Sequence, residues 1–493
     1  MLESLRAHWL LVKLQFLPKL SNQLMPNIAA SVLPTLEMSN TSQARNTQLA
    51  LALSQAIRDG RLPPGSRLPP TRDAASQLGL GRNTVVDAYA DLTAEGLLES
   101  RGRLGTFVAR QAKAVLQPAT SLPRIVRRLP STSTTPGAVS QDWRLGQSGT
   151  QLLPLDVWRS ACREAGRNLP PSGYGDPQGL FTLREAIAAW LRRHRGTRHE
   201  ATQIVITQGT GSAVELLART LVRPGDLCAV ESPGYSRALD AFELAGGTIV
   251  RVPIDEQGAI VKEAFANTAP SVFHLTPANQ YPLGGRLSGL RRAELAALAS
   301  KAGTLVIENE YDHEFIYEGQ NHAPLAATLA GQTVLVSTFA KSISPALRIG
   351  FIAAPQRVAD ALASSIAAQG LHASWPVQAS LQWMLASGEL QRHLRRVRRH
   401  HATQRDRLLA AIRQSCPELQ VRGTEGGLHF LLTLGRKELD RKLAKELKAR
   451  GVVLQTVTDF GGETAEVLIG YGHMERTETQ AAADLLRGAC AAI

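Results

Sequence analysis

Seven short apolar runs, at 204–207, 227–231, 248–252, 272–275, 305–308, 334–337 and 350–354, alternate with helical patterns such as 211–221 and 291–302. No other feature of the sequence restricts the fold as much. Short buried strands alternating with helices predict an α/β fold with a mostly parallel sheet covered on both faces. Ligands of such sheets bind beyond the carboxyl ends of the strands. The polar residues that close each run are therefore the candidate site.

The run at 334–337 leads into Thr338 and Lys341, and Arg348 precedes the next run. A lysine beside buried strands is costly to desolvate unless it has chemistry or a partner. Its simplest use is as an amine that forms a Schiff base with an aldehyde cofactor. A lone loop lysine is more often merely solvated, so this reading depends on its neighbours. The first run is followed by Gln208, Gly209, Thr210, Gly211 and Ser212, which open a helix. The first amides of that helix and the Thr210 hydroxyl suit a phosphate, although a short Gly-rich loop alone is weak evidence. After the second run, ESPGYSR offers Tyr235 as a flat ring to stack on a cofactor and Arg237 as an anion clamp. TPANQYPLGG follows the fourth run, and ENEYD follows the fifth, placing Asn309 and Tyr311 at a strand end. Each residue alone also reads as a cap, a turn or a surface group. Together they set groups suited to a phosphorylated aromatic aldehyde at one strand end after another.

Residues 41–110 have a different pattern. Leu49, Leu53, Ala56 and Ile57 share a helical face, RLPPGSRLPPTRD is a turn-rich connector, and a short helix over 72–78 stops at Gly79. A third helix over 82–95 puts Val85, Tyr89 and Leu92 on one face and Arg82, Asn83 and Asp87 on the other. LLES and TFVA then flank RGRLG as a basic hairpin. Three helices and a basic wing make a winged helix-turn-helix. A helix whose exposed N-terminal end carries Arg82 and Asn83 can enter a major groove, and its first amides with Thr84 can hold a phosphate. Arg101 and Arg103 at the wing tip suit the DNA backbone or the minor groove. The pattern by itself equally allows a solvated charged face on an ordinary three-helix unit.

Residues 111–140, rich in Pro, Ser and Thr, read as a linker between this domain and a large one over 141–493. Residues 1–40 receive no function; their apolar stretch is broken by Lys13, Pro18 and Lys19, unlike a signal peptide. The net charge of +13 points to a polyanionic partner. The cysteines Cys162, Cys228, Cys416 and Cys490 lie far apart without a CxxC. That argues against a metal knuckle or disulfide framework and fits a reducing cytoplasm. No window approaches the roughly 20 apolar residues of a membrane span. The basic helical run HLRRVRRHHATQRDR reads either as a solvated face or as a strip along DNA.

Two resemblances sharpen these readings. GRLPPGSRLPPTRDAASQLGLGRNTVVDAYADLTAEGLLESRGRLGTFVA resembles the GntR-family DNA-binding domain over its whole length. This resemblance implies DNA contacts from Arg72, Arg82, Asn83 and Thr84, with Gly105 at the wing. GYGDPQGLFTLREAIAAWLRRHRG, ESPGYSRAL, TPANQYPLG and STFAKSISPALRIGF resemble the fold type I aminotransferases, which use pyridoxal 5'-phosphate. The resemblance implies that Lys341 holds the cofactor as a Schiff base and that Arg348, Thr338 and the Thr210-Gly211 loop hold its phosphate. It also implies that Tyr235 stacks on the ring, that Tyr311 bonds the ring hydroxyl, and that Tyr174 reaches across a homodimer interface. The domain order is similar to the MocR subgroup of GntR regulators. That likeness implies a cytoplasmic transcription factor whose large domain senses the cofactor, or an amine or amino acid effector condensing with it, and adjusts binding to a double-stranded operator.

The sequence departs from these families at several positions. Gly81 stands where a Ser usually precedes the arginine, and Arg103-Leu104 replaces small turn residues at the wing. Asn309 replaces the Asp that faces the pyridine nitrogen. At about 4 Å and an effective dielectric near 20 that ion pair is worth up to roughly 4 kcal/mol, and half of it is more than about tenfold in a rate. Glu308 and Glu310 flank Asn309, but strand alternation turns them to the opposite face. Ala340 replaces a Ser before the lysine, and Leu468 stands about where many aminotransferases grip a substrate carboxylate with arginine, leaving Arg237 for that role. The expectation is a retained cofactor pocket with weakened turnover. The alternatives are a working aminotransferase with a DNA tether, or a DNA-binding protein whose large domain has lost its cofactor and only dimerises.

Overall fold

Leu49, Leu53, Ala56 and Ile57 recur at helical spacing, and helix α1 (Arg45–Arg58) buries all four. Helix α2 (Thr71–Leu78) ends at Gly79, and α3 (Arg82–Ala94) packs Val85, Ala88, Tyr89 and Leu92 onto α1 and α2. The Tyr89 hydroxyl donates to the Pro69 carbonyl at 3.2 Å and ties α3 to the proline-rich connector. Strands β1 (Leu98–Ser100) and β2 (Thr106–Val108) pair antiparallel around a turn at Gly102–Leu104. The computed structural model describes residues 33, 44–112, 141–319, 322–435 and 438–493. The chain divides into two compact units, Met1–Thr134 and Thr135–Ile493. The leader over 1–40, except Leu33, and the linker over 111–140, except its first two residues, lie outside the described residues. Leu33 is buried in the core of the three-helix unit.

The second unit is built on an eight-stranded sheet. Strand β3 (Gln141–Asp142) and helices α4 (Leu155–Ala165) and α5 (Phe181–Arg195) precede it. There follow β4 (Ile204–Thr207), α6 (Thr210–Leu221), β5 (Leu227–Ser232), α7 (Ser236–Leu244), β6 (Thr248–Asp255), β7 (Gly258–Ala259) and β8 (Val272–Leu275). Next come α8 (Gly289–Ala302), β9 (Leu305–Glu310), β10 (Thr333–Thr338), β11 (Gly350–Ala353) and α9 (Gln356–Gln369). The strand order is β4-β11-β10-β9-β8-β5-β6-β7. The ladders from β10 to β6 are parallel, whereas β11 runs antiparallel to both its neighbours. Alternation sorts the strand residues between layers. Val205, Ile307, Val336 and Ile352 face a core shared with α6, α7 and α9, while Ile204, Ile206, Leu335 and Phe351 face one shared with α5.

Two strands outrun the apolar runs that announced them by two residues or more. β9 continues through Asn309 and Glu310, which pair in register with Val336 and Ser337 of β10. Hydropathy falls there while the backbone ladder continues: both side chains are buried, Glu310 paired with Arg195 and the Asn309 amide nitrogen beside His274. Asn309 is thus a strand residue rather than a loop residue. β6 likewise extends past 252 to Asp255.

The remainder forms helices α10 (Trp375–Ala386) and α11 (Glu389–Ser415), then β12 (Gln420–Arg422), β13 (His429–Thr433), α12 (Leu439–Ala449), β14 (Val452–Val453), β15 (Gln455–Thr456), β16 (Glu466–Gly470) and α13 (Glu478–Cys490). A four-stranded antiparallel sheet, β12-β13-β16-β15, packs on α11, α12 and α13, and β14 pairs with β3. The basic run is split by helical periodicity. His393, Val397, His401, Gln404 and Arg405 are buried, and Arg395, Arg396 and Arg399 are exposed. Among the described residues no helix is long and apolar enough to cross a membrane, and no cluster of side chains is arranged to hold a metal.

Candidate functional site

The carboxyl ends of β4, β5, β8, β9 and β10 converge on a cavity of about 380 Å³. Its walls include Gly209, Thr210, Gly211, Tyr235, Arg237, Asn309, Tyr311, Thr338, Lys341 and Arg348, nine of which the sequence singled out by side chain or loop, with Gly209 their neighbour. Convergence follows from topology: β4 and β5 are consecutive in sequence but lie on opposite sides of the central strands, which opens a crevice between them.

One end of the cavity is built for an anion. Gly209, at φ +90°, caps α6 and turns the chain so that the helix amides face inward. The Thr210 hydroxyl is buried and has no partner. A Cβ on Gly211 would lie 3.1 Å from an Arg237 terminal nitrogen, so a larger residue there would push the guanidinium back by a few tenths of an ångström. Arg348 approaches Gly209 from the turn after Pro345–Leu347 and holds the left-handed backbone at φ +48°, a conformation that costs a non-glycine residue about 1 kcal/mol or more. Neither guanidinium has a hydrogen bond or ion pair among the described residues. Thr338 also lines the cavity, but its hydroxyl donates to the Ile349 carbonyl at 3.1 Å and accepts from the Ala340 amide at 3.2 Å. Its evident task is to hold the turn that carries Lys341.

The other end holds the amine. Lys341 Nζ donates to the Gly146 carbonyl at 2.8 Å. Burial lowers its pKa to about 8, opposed by the charge of Asp312. Asp312 is itself raised to about 7 by burial, against the pull of Asn279, whose amide donates to it at 2.6 Å, and of Lys341. Tyr311 lies half-buried beside this pair, 3.3 Å from the Asn279 amide, and its hydroxyl is held protonated, chiefly by loss of solvation. Asn309 faces the middle of the cavity. Its amide nitrogen lies 3.4 Å from His274 Nε2, while its carbonyl oxygen is buried without a partner. Burial pushes His274 down to about 4, so that ring is neutral. The Tyr235 ring lies nearly parallel to His274, with centroids 6.1 Å apart, and meets the Tyr281 ring edge-on at 5.7 Å.

The two glutamates beside Asn309 point away from the cavity. Glu308 accepts from the Leu325 and Ala326 amides at 2.9 and 3.1 Å, and Glu310 forms a buried ion pair with Arg195. Leu468 is fully buried against Leu431 and Val457. Tyr174 is 90% exposed, stacks on His372 at 5.8 Å, and does not line the cavity of its own chain.

Several lining residues escaped the sequence reading. Tyr281 and Thr276 lie within a motif that was noticed but not resolved into roles; the Thr276 hydroxyl donates to buried Glu231 at 2.6 Å. Asp312 sits one residue beyond a noticed tyrosine. Gly146, 195 positions from the lysine it binds, carries no local signal at all.

In the smaller unit, Arg72, Arg82 and Asn83 are exposed, and their side chains have no partner among the described residues. Gly81 caps α3 without a side-chain hydrogen bond, which leaves the first amides of the helix beside Thr84 unclaimed. On the wing, Arg103 is exposed, whereas Arg101 is ion-paired to Glu99 and lies 4.6 Å over the Phe107 ring. Arg67, which the sequence did not flag, packs against Gly105.

Residues 143–486 match the family model of aminotransferase class I and II, and residues 45–108 match that of bacterial regulatory proteins of the gntR family. The chain is 33% identical over 435 residues to the HTH-type pyridoxine biosynthesis transcriptional regulator PdxR of Corynebacterium glutamicum, covering 87% of this chain and 93% of that one. It is 30% identical over 420 residues to the probable rhizopine catabolism regulatory protein MocR of Rhizobium meliloti, covering 82% and 85%. Among solved structures, an archaeal alanine:glyoxylate aminotransferase matches with a TM-score of 0.64 at 26% identity, over 71% of this chain and 90% of that chain. A kynurenine aminotransferase of Pyrococcus horikoshii matches with a TM-score of 0.67 at 21% identity, over 75% and 97%, and supports the fold alone.

Proposed function

The chain belongs to the MocR type of gntR-family regulators, in which a DNA-binding winged helix is joined to an aminotransferase class I and II domain, and from that premise we propose that it is a transcriptional regulator whose large unit holds pyridoxal 5'-phosphate and reads it, or a small amine or amino acid condensing with it, to set operator affinity. The observation that carries this reading is the pairing in one cavity of a half-buried amine, Lys341, with an anion cradle. The donor set fits the cofactor. The buried Thr210 hydroxyl and two unpartnered arginines match a phosphate, and the unpartnered Asn309 oxygen is an acceptor for a ring N–H. Pyridoxal 5'-phosphate, when bound, supplies an aldehyde that condenses with amines and a ring that withdraws electrons from the adjoining carbon.

The protein's own residues divide the remaining work. Thr210, Gly211 and Arg348 bind the phosphate, and Arg237, at the same end, extends toward the carboxylate of an amino acid. Gly146 and Asp312 hold the proton on Lys341 until an aldehyde arrives. Tyr235 supplies the flat wall and Tyr311 a donor for the ring hydroxyl. Asn309 places a neutral amide where a carboxylate would stabilise a protonated ring, and neither Glu308 nor Glu310 can replace it. Capture is therefore retained and turnover weakened. Tyr174, exposed in its own chain, reaches the cavity of a second copy, so the working form is a homodimer that binds paired half-sites through Arg72, Arg82, Asn83, Thr84, Arg101 and Arg103. The Corynebacterium relative is by its name a regulator of pyridoxine biosynthesis, which supports the cofactor itself as a signal.

Regulation requires the ligand to favour one arrangement of the dimer over another. A DNA-binding titration at fixed salt, with and without pyridoxal 5'-phosphate, tests the proposal. A shift in midpoint is expected with the wild type and none with Lys341→Ala; identical curves for the wild type with and without cofactor would overturn it.

A further inference from the structure

On the reverse side of β9 from the cofactor cavity lies a second, solvent-open cavity of about 170 Å³, lined by α5, α11 and residues 313–314. It adjoins a groove of about 460 Å³, and the two share Trp190, His194 and Gln391. Three features mark it as built for a ligand. The first is charge: Arg195, Arg395 and Arg398 line the cavity, and the one acid among them, Glu314, is held neutral at pH 7 because burial raises it to about 8. Arg195 is matched by Glu310, so the cationic surplus comes from the two arginines of α11. The second is hydrogen bonding: Trp190 Nε1, a donor, and Gln391 Oε1, an acceptor, are both shielded from water and both without a partner. A buried polar atom left unmatched costs about 1–3 kcal/mol, and two of opposite sense in one cavity ask for a molecule with an acceptor and a donor. The third is shape: Trp190, His313 and Leu394 give the cavity flat and apolar walls.

We propose that this cavity is a second small-molecule site that takes a flat carboxylate bearing a hydroxyl or N–H group. The carboxylate accepts from Trp190 and from Arg395, whose side chain has no partner among the described residues, and the donor reaches Gln391. Arg195 lines the cavity and is ion-paired to Glu310 at the end of β9, so a ligand here lies one side chain away from the strand that carries Asn309.

The test is calorimetric titration of the full-length protein, loaded with pyridoxal 5'-phosphate, using 4-hydroxybenzoate as the probe. Saturable binding at one site per chain is expected, retained in Lys341→Ala and weakened at least about tenfold in Arg395→Glu and in Trp190→Phe. The uncharged 4-hydroxybenzamide should not bind. Arg395 is exposed, so its variant is read even if Trp190→Phe fails to fold. The proposal is overturned if no saturable binding occurs, or if Arg395→Glu binds as well as the wild type. It is equally overturned if binding disappears with Lys341→Ala, which would put the acid in the cofactor cavity, or if inorganic phosphate displaces the probe, which would make this a site for any anion.

Discussion

Asn309 illustrates how much one atom can decide. An aspartate there would set a charge against the ring nitrogen worth up to roughly 4 kcal/mol at about 4 Å; the amide sets only a dipole. Asn309→Asp is therefore expected to raise any residual amino-group transfer by more than about tenfold, measured as turnovers with paired amino and keto acids. A flat response would remove the electron-withdrawal argument. Lys341 makes a second prediction at this scale. Its folded pKa of about 8 lies below its ordinary value, so between the two the folded protein binds fewer protons than the unfolded chain. The cost of burying the charge is present below about pH 8 and is relieved as pH rises through that window, so the apo protein gains stability there. Only the neutral amine attacks an aldehyde. Cofactor loading, followed by its visible absorbance, should accordingly rise through about pH 8 and then level off. Asp312→Asn should move that rise to lower pH, because the carboxylate is what raises the lysine against its burial.

At the level of elements, β9 carries two functions on its two faces. Its forward face presents Asn309, and its reverse face anchors Glu308 to two backbone amides and Glu310 to Arg195. Removing one member of a buried ion pair strands the other charge at a cost of about 3–5 kcal/mol. Arg195→Ala should destabilise the large unit by that amount in denaturant unfolding, and the double variant Arg195→Met with Glu310→Leu should recover most of it. Failure to recover would mean that the pair is not what holds the strand. Helix α3 makes the complementary case. Its buried face is fixed by Val85, Ala88, Tyr89 and Leu92, so the exposed Arg82 is free for recognition. Arg82→Ala is expected to abolish operator binding in a mobility-shift assay while cofactor loading stays unchanged, because the residues concerned lie in different compact units. Simultaneous loss of both would contradict that independence.

For the whole molecule, the sequence alone determined the α/β class, the winged helix ahead of it, and half of the lining of the cavity at the strand ends. Each of these rests on local periodicity or on groups placed within a few residues of a strand end, and strand ends are where a parallel sheet collects its ligands. Lys341, Thr210, Tyr235, Asn309, Tyr311 and Arg348 were legible for that reason. The tertiary structure alone decided which distant groups meet them. Gly146 reaches Lys341 from the start of the large unit, and Asp312 becomes a partner only once burial lifts its pKa. Thr338 is turned to hold its own loop. The cavity beyond β9 is likewise assembled from α5 and α11, about 200 residues apart. Periodicity shows which face of a helix is buried; only packing shows what that face is buried against.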